Sequence, residues 1–150
     1  MRRLQPAATS ALACILALSG TIVLAQTNSA YRSTDVVAGK TQRLGVYGNV
    51  QKDCTSGSLP TVRVVTPPKH GELNVRSGKL KAGRISRCPK LEATAQGVFY
   101  KPNPTYNGAD EVSYEVKSAS GKLESHTVKI TVKDATPGDA KSSPDADSEL

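Results

Sequence analysis

The sequence predicts an all-β protein, an antiparallel sandwich of about seven short strands. Three observations carry that expectation. Between Gln26 and Lys133 the large aliphatics are mostly valine, threonine is frequent and there are only two isoleucines, and β-branched side chains suit a pleated surface. Two segments near the end of that stretch alternate strictly between apolar and polar residues, the mark of strands with one buried face. No segment sustains a 3.6-residue apolar period, so nothing competes as a helix.

The chain has 150 residues, enough for one domain with tails. Residues 1–25 read as an export leader. Arg2 and Arg3 precede an apolar stretch from Ala11 to Ala25 broken only by Ser19, Gly20 and Thr21. Val23 and Ala25 place small residues before a cut that would leave Gln26 as the new N-terminus. Fifteen helical residues would reach roughly 22 Å, short of a hydrocarbon core of about 30 Å. Cleavage is therefore expected over anchoring, and the mature chain carries no transmembrane anchor. Lipidation at Cys14 fits poorly, because it would leave the apolar run from Ile15 to Leu24 in place.

Along the remaining chain the elements follow in order. Tyr31–Val37 and Gln42–Val50 are weak strand candidates. Thr61–Thr66, TVRVVT, is a strand stopped by Pro67 and Pro68. Gly71 begins another that runs through Leu73 and Val75, and Leu80–Ile85 reads as a short strand or a loop. Gly97–Lys101, GVFYK, is bounded by Pro102 and Pro104. In Glu111–Lys117, Val112, Tyr114 and Val116 form the buried face; in Thr127–Lys133, Val128, Ile130 and Val132 do so. The SASGK turn at 118–122 between them favours a hairpin, in which outward carboxylates and lysines can face each other.

Charge divides unevenly. Residues 26–133 hold 17 basic and 8 acidic side chains, a net of +9, whereas 134–150 hold one basic residue against five acids. That tail has a single large apolar residue, too little to offset the entropy of ordering, and it reads as disordered. Removal of the leader takes Cys14 with it and leaves Cys54 and Cys88. In an oxidising compartment these two allow one bridge. Closing a loop of about 35 residues is worth roughly 3 to 4 kcal/mol on the chain-entropy model. Neither cysteine lies in a C-x-x-C motif, which argues for a structural staple over a redox pair. His70 and His126 have no second ligand at a short spacing, so no metal or cofactor is implied.

Two stretches carry a recognisable signature: TPPKHGELNV at 66–75, and GVFYKPNPTYNGADEVSYEV at 97–116 followed by the final TVKITV strand. They resemble the bacterial Ig-like and cadherin-like repeat domains of secreted and surface proteins. The pattern places Gly71, Tyr100, Pro102, Tyr106, Gly108, Asp110, Val112 and Tyr114 on its motif positions. The resemblance implies an Ig-like sandwich in a structural or interaction role; such domains usually occur as tandem arrays, whereas this sequence has room for one copy and shows no internal repeat. From the residues themselves, Tyr106 is placed like a corner tyrosine, Gly108 suits a positive φ, and Asp110 at the start of its strand is placed to accept backbone N–H bonds. The acidic triplet Asp145-Ala146-Asp147 lies in the tail and makes no calcium cage.

One run stands out as a candidate site. RSGKLKAGRISRCPK, residues 76–90, holds Arg76, Lys79, Lys81, Arg84, Arg87 and Lys90 with no acid. Gly78 and Gly83 mark it as a loop or irregular hairpin tip, and a bridge at Cys88 would tether it to Cys54. Such a loop presents a positive field to anionic partners: lipopolysaccharide, phospholipid headgroups or wall polymers. It contains no aromatic for base stacking, which argues against specific nucleic-acid binding. No G-x-S-x-G elbow is present and neither histidine has an evident nucleophile, so an enzyme is not expected. The expected function is a non-enzymatic envelope module, periplasmic or secreted, with an unknown envelope protein as partner; the alternative is a polyanion-binding protein using 76–90.

Overall fold

A computed structural model describes residues 28–80 and 82–135. The proposed leader, Lys81 and residues 136–150, with the Asp145-Ala146-Asp147 triplet, lie outside those residues. Seven strands follow one another: β1 (Asn28–Val37), β2 (Gln42–Gly48), β3 (Thr61–Thr66), β4 (Gly71–Leu80), β5 (Ala93–Pro102), β6 (Gly108–Lys117) and β7 (Leu123–Lys133). They form a four-stranded sheet in the order β1-β7-β6-β3 and a three-stranded sheet in the order β2-β5-β4, which face each other as an Ig-like sandwich.

The alternation read in the sequence sets the core. Val112, Tyr114 and Val116 on β6 and Val128, Ile130 and Val132 on β7 are buried, and they meet Leu44, Val98 and Tyr100 of the opposing sheet. β6 and β7 pair as a hairpin from Gly108↔Val132 to Lys117↔Leu123. Its turn closes with Gly121 at φ +86°, a conformation that favours glycine. Glu111 and Lys129 stand directly opposite in that register, and Ser113 faces Thr127 with their hydroxyls 3.2 Å apart.

Two features depart from the sequence reading. β1 runs parallel to β7, from Asn28↔Glu124 to Val37↔Lys133, within a sandwich otherwise paired antiparallel. The whole domain lies between these two strands, so the long connection that parallel pairing requires is present. Second, the basic run is only partly a loop. Arg76 to Leu80 extend β4 and pair with Ala93 to Gly97 of β5, and Leu80 at the end of the extension packs against Ala95 and Phe99. Residues 82–92 lie outside the sheet.

A smaller apolar cluster occupies the outer face of the three-stranded sheet. Ala95 and Phe99 are buried there with Val46 and Leu80 against them, and Arg76 lies over the Phe99 ring at 5.9 Å. The β2–β5 register shifts between Arg43 and Gly45. That bulge turns Leu44 inward and leaves Val46 on the outer face, so β2 serves both clusters.

Candidate functional site

The Cys54–Cys88 disulfide joins the β2–β3 connection to the β4–β5 connection, with Cα atoms 5.6 Å apart. Cys54 sits at φ +63° in a turn held by Cys54 N to Gln51 O at 3.2 Å and by Asp53, whose carboxylate accepts from the Thr55 N–H and hydroxyl. Those two bonds hold the Asp53 carboxyl below the usual range. The bridge thus fixes two loops that otherwise share no ladder.

The candidate basic residues separate by role. Arg76 and Lys79 are exposed on β4; Arg84, Arg87 and Lys90 are exposed on the 82–92 connection; Lys81 lies outside the described residues. The Arg87 guanidinium donates to the Val50 and Gln51 carbonyls, the latter at 2.8 Å, and so clamps the loop beside the disulfide. An arginine occupied in this way supports the loop's shape and adds to its field, with its planar donors already directed at backbone. Sequence reasoning missed Lys52, two positions before Cys54, which the bridge and the Arg87 bonds bring toward the 82–92 connection. Arg84, Lys90 and Lys52 are exposed and lie close in sequence to the bridged cysteines.

A second constellation centres on Asp110. The residue is 7% exposed. Its Oδ1 accepts from Lys69 N at 3.0 Å and Glu111 N at 2.9 Å, and its Oδ2 accepts from His70 N at 2.9 Å and the Tyr100 hydroxyl at 2.9 Å. Burial pushes this carboxyl up, but the three amides and the hydroxyl outweigh it and hold the group below the usual carboxylate range. The same contact, with burial foremost, pushes the Tyr100 phenol up. Asp110 belongs to the four-stranded sheet and Tyr100 to the other, so the carboxylate ties the sheets together where β4 begins. There a Cβ on Gly71 would stand 2.5 Å from the Lys101 carbonyl and 2.7 Å from the Tyr100 ring. Pro102, buried, closes β5 opposite Gly71. Tyr106 stacks on His70 at 3.8 Å, and its hydroxyl donates to Ala109 O at 2.7 Å beside Gly108, whose φ is +138°. These motif positions form a structural corner.

A third group was not foreseen. His126 continues the inward parity of Val128 and packs against Tyr114 at 5.1 Å and Tyr47 at 5.2 Å. The Tyr47 and Tyr114 hydroxyls are 2.8 Å apart, and Arg32 donates to Tyr114 at 3.4 Å. Burial lowers the affinity of His126 for a proton, while Glu124, 3.8 Å away, opposes that shift only in part. Its Nε2 is buried and has no hydrogen-bond partner among the described residues. The signal was present: extending the Val132, Ile130, Val128 alternation by one step lands on His126.

Two open sheets of this order, joined between loops by one disulfide and closed at a corner by a buried aspartate, define an Ig-type β-sandwich module. The chain belongs to the bacterial Ig domain family, whose model matches residues 22–131. It is also similar to the integrin beta-like protein A of Dictyostelium discoideum, 34% identical over 71 residues, which are 46% of this chain and 4% of that protein. The chain thus spans a small fraction of that relative's length.

Proposed function

We propose that the chain is an exported, non-enzymatic Ig-like module of the bacterial cell envelope, periplasmic or secreted, with a structural or protein-interaction role. The observation that carries the reading is the Cys54–Cys88 bridge within a bacterial Ig domain, since such bridges persist in oxidising compartments. An interaction role is supported by β3, one of the two edge strands of its sheet, where Val64 and Val65 are 38% and 48% exposed. Such an edge offers unpaired backbone groups beside apolar side chains. A photocrosslinker placed at Val65 in living cells should give one discrete product in the envelope fraction. The same crosslinker at Lys117 should not. Recovery of the protein in the cytoplasm with two reactive thiols would overturn the reading.

A second reading, polyanion binding, is favoured by the exposed Lys52, Arg84 and Lys90, close in sequence to the bridged cysteines. Binding to anionic vesicles or wall polymers that falls steeply with salt, and is lost when Arg84 and Lys90 become Ser, would support it.

A further inference from the structure

The outer face of the three-stranded sheet carries an excess of positive charge around an apolar centre. The register sets Arg43 of β2, Phe99 of β5 and Asn74 of β4 in one row, with Arg76 and Lys101 on the same face and Glu72 opposite Lys101. Among the described residues these are its charged side chains, three bases against one acid, a net of +2. Arg43 and Lys101 are exposed. The outer face of the four-stranded sheet is closer to neutral, with four bases against three acids and with Arg63–Glu115 and Lys133–Asp35 already joined as ion pairs. An outward side chain of a two-layer sandwich ordinarily meets water, yet Phe99 is 5% exposed and Ala95 is fully buried. Val46 and Leu80 pack beside them and Arg76 lies over the ring. The cationic frame therefore surrounds a desolvated apolar centre, where charge pairing is screened less than in open water.

The chain beyond β7 starts close to this face. The Ala38 N–H donates to Lys133 O at 2.8 Å, and Gly39 lies against Pro104, just past the end of β5. From Ala38 the β1–β2 connection passes Lys40 and crosses from one sheet to the other, so β7 ends where the backbone turns toward Arg43. The 82–92 connection lies at the far end of the β4–β5 ladder, beyond Leu80↔Ala93. Residues 136–150 hold Asp139, Asp145, Asp147 and Glu149 against Lys141, a net of −3, opposite in sign to the face. They can reach roughly 50 Å, more than the roughly 33 Å that the ten residues of β5 span. Such a segment has too little apolar surface to order itself. Tethering nonetheless keeps it near the face at an effective concentration on the order of millimolar, so weak charge pairing suffices to seat it.

We propose that the acidic segment 136–150 docks on the outer face of the three-stranded sheet, its carboxylates paired with Arg43, Arg76 and Lys101. The segment is then an internal competitor for any external anion that approaches this face. The test compares amide NMR spectra of the full chain with those of a chain in which Asp139, Asp145 and Asp147 become Asn and Glu149 becomes Gln. Neutralising the segment should shift the amides around Arg43, Phe99 and Arg76, and should lower the heteronuclear NOE of residues 139–149. About 1 M NaCl, where the screening length is about 3 Å, should move the same amides of the unaltered chain in the same direction. Arg43→Gln with Lys101→Gln should release the segment to the same extent, whereas Lys117→Gln with Lys129→Gln, on the other sheet, should not. The proposal is overturned if neutralisation leaves β2, β4 and β5 unshifted, or if the shifts fall on residues 82–92 or on the four-stranded sheet instead. It is equally overturned if the NOE of residues 139–149 is the same with and without Arg43 and Lys101.

Discussion

Replacing Asp110 with alanine removes one side chain and strands four donors. The Tyr100 hydroxyl, on a fully buried ring, loses its partner, as do the amides of Lys69, His70 and Glu111. Hydrogen bonds to a charged acceptor contribute about 1.5–3 kcal/mol each, and an orphaned buried donor costs about 1–3 kcal/mol. The amides of exposed Lys69 and half-buried His70 regain water, so the sum is discounted. The expected loss is about 3–4 kcal/mol, chiefly the buried hydroxyl and the link between sheets. For a domain of this size that lowers the midpoint on the order of 15 °C. Tyr100→Phe alone should cost about 1 kcal/mol, and the double variant about 1 kcal/mol less than the two single losses added. Urea unfolding at neutral pH with the disulfide intact measures all three. An Asp110→Ala loss below about 0.5 kcal/mol, or strict additivity with Tyr100→Phe, would refute the reasoning. The sign of the pH dependence follows from the same bonds. The folded carboxyl lies below its unfolded value, so its stabilisation is present above the unfolded pKa and is lost as pH falls through the folded one.

Reduction of the disulfide, or Cys54→Ser with Cys88→Ser, should cost about 3–4 kcal/mol, since it opens a loop spanning 34 positions; a reductant-independent melting midpoint would contradict this. His126 is held neutral by burial among Tyr47, Tyr114, Arg32 and Glu124. The unfolded chain therefore takes up the proton first as pH falls below about 6.5, stability declines there, and His126→Gln should flatten that part of the stability profile. Gly71→Ala should lose about 2–3 kcal/mol because the Lys101 carbonyl and Tyr100 ring are fixed by the β4–β5 ladder; an unchanged denaturation curve would show that the strand end can yield. Arg87→Ala should leave unfolding nearly unchanged while speeding hydrogen exchange at residues 50–54 and 85–91, since its bonds hold an exposed loop.

Local chemistry in the sequence determined the strand count, the all-β class and the inward faces of β6 and β7. Valine alternation, the proline stops and the Ser-Gly turn are properties of neighbouring residues, and Cys54 and Cys88, the two cysteines beyond residue 25, admit only one bridge between them. β3, bounded by prolines, kept the limits read from sequence, whereas β4 ran on through Ser77, Gly78 and Lys79 to Leu80, which packs against Ala95 and Phe99 of β5. The candidate basic run was legible as a charge pattern. Its division into strand residues at Arg76 and Lys79 and a clamp at Arg87 was not, for it depends on which strands pair and which loops the disulfide joins. Likewise Asp110 could be placed at a strand start, but its partners Lys69 and His70 lie about 40 positions away. The parallel β1–β7 pair and the Tyr47–Tyr114–His126 cluster arise where strands distant in sequence become neighbours. Periodicity specifies which face of a strand is buried; which strand lies beside it is decided by closing long loops around one shared core, and only the tertiary structure makes that choice.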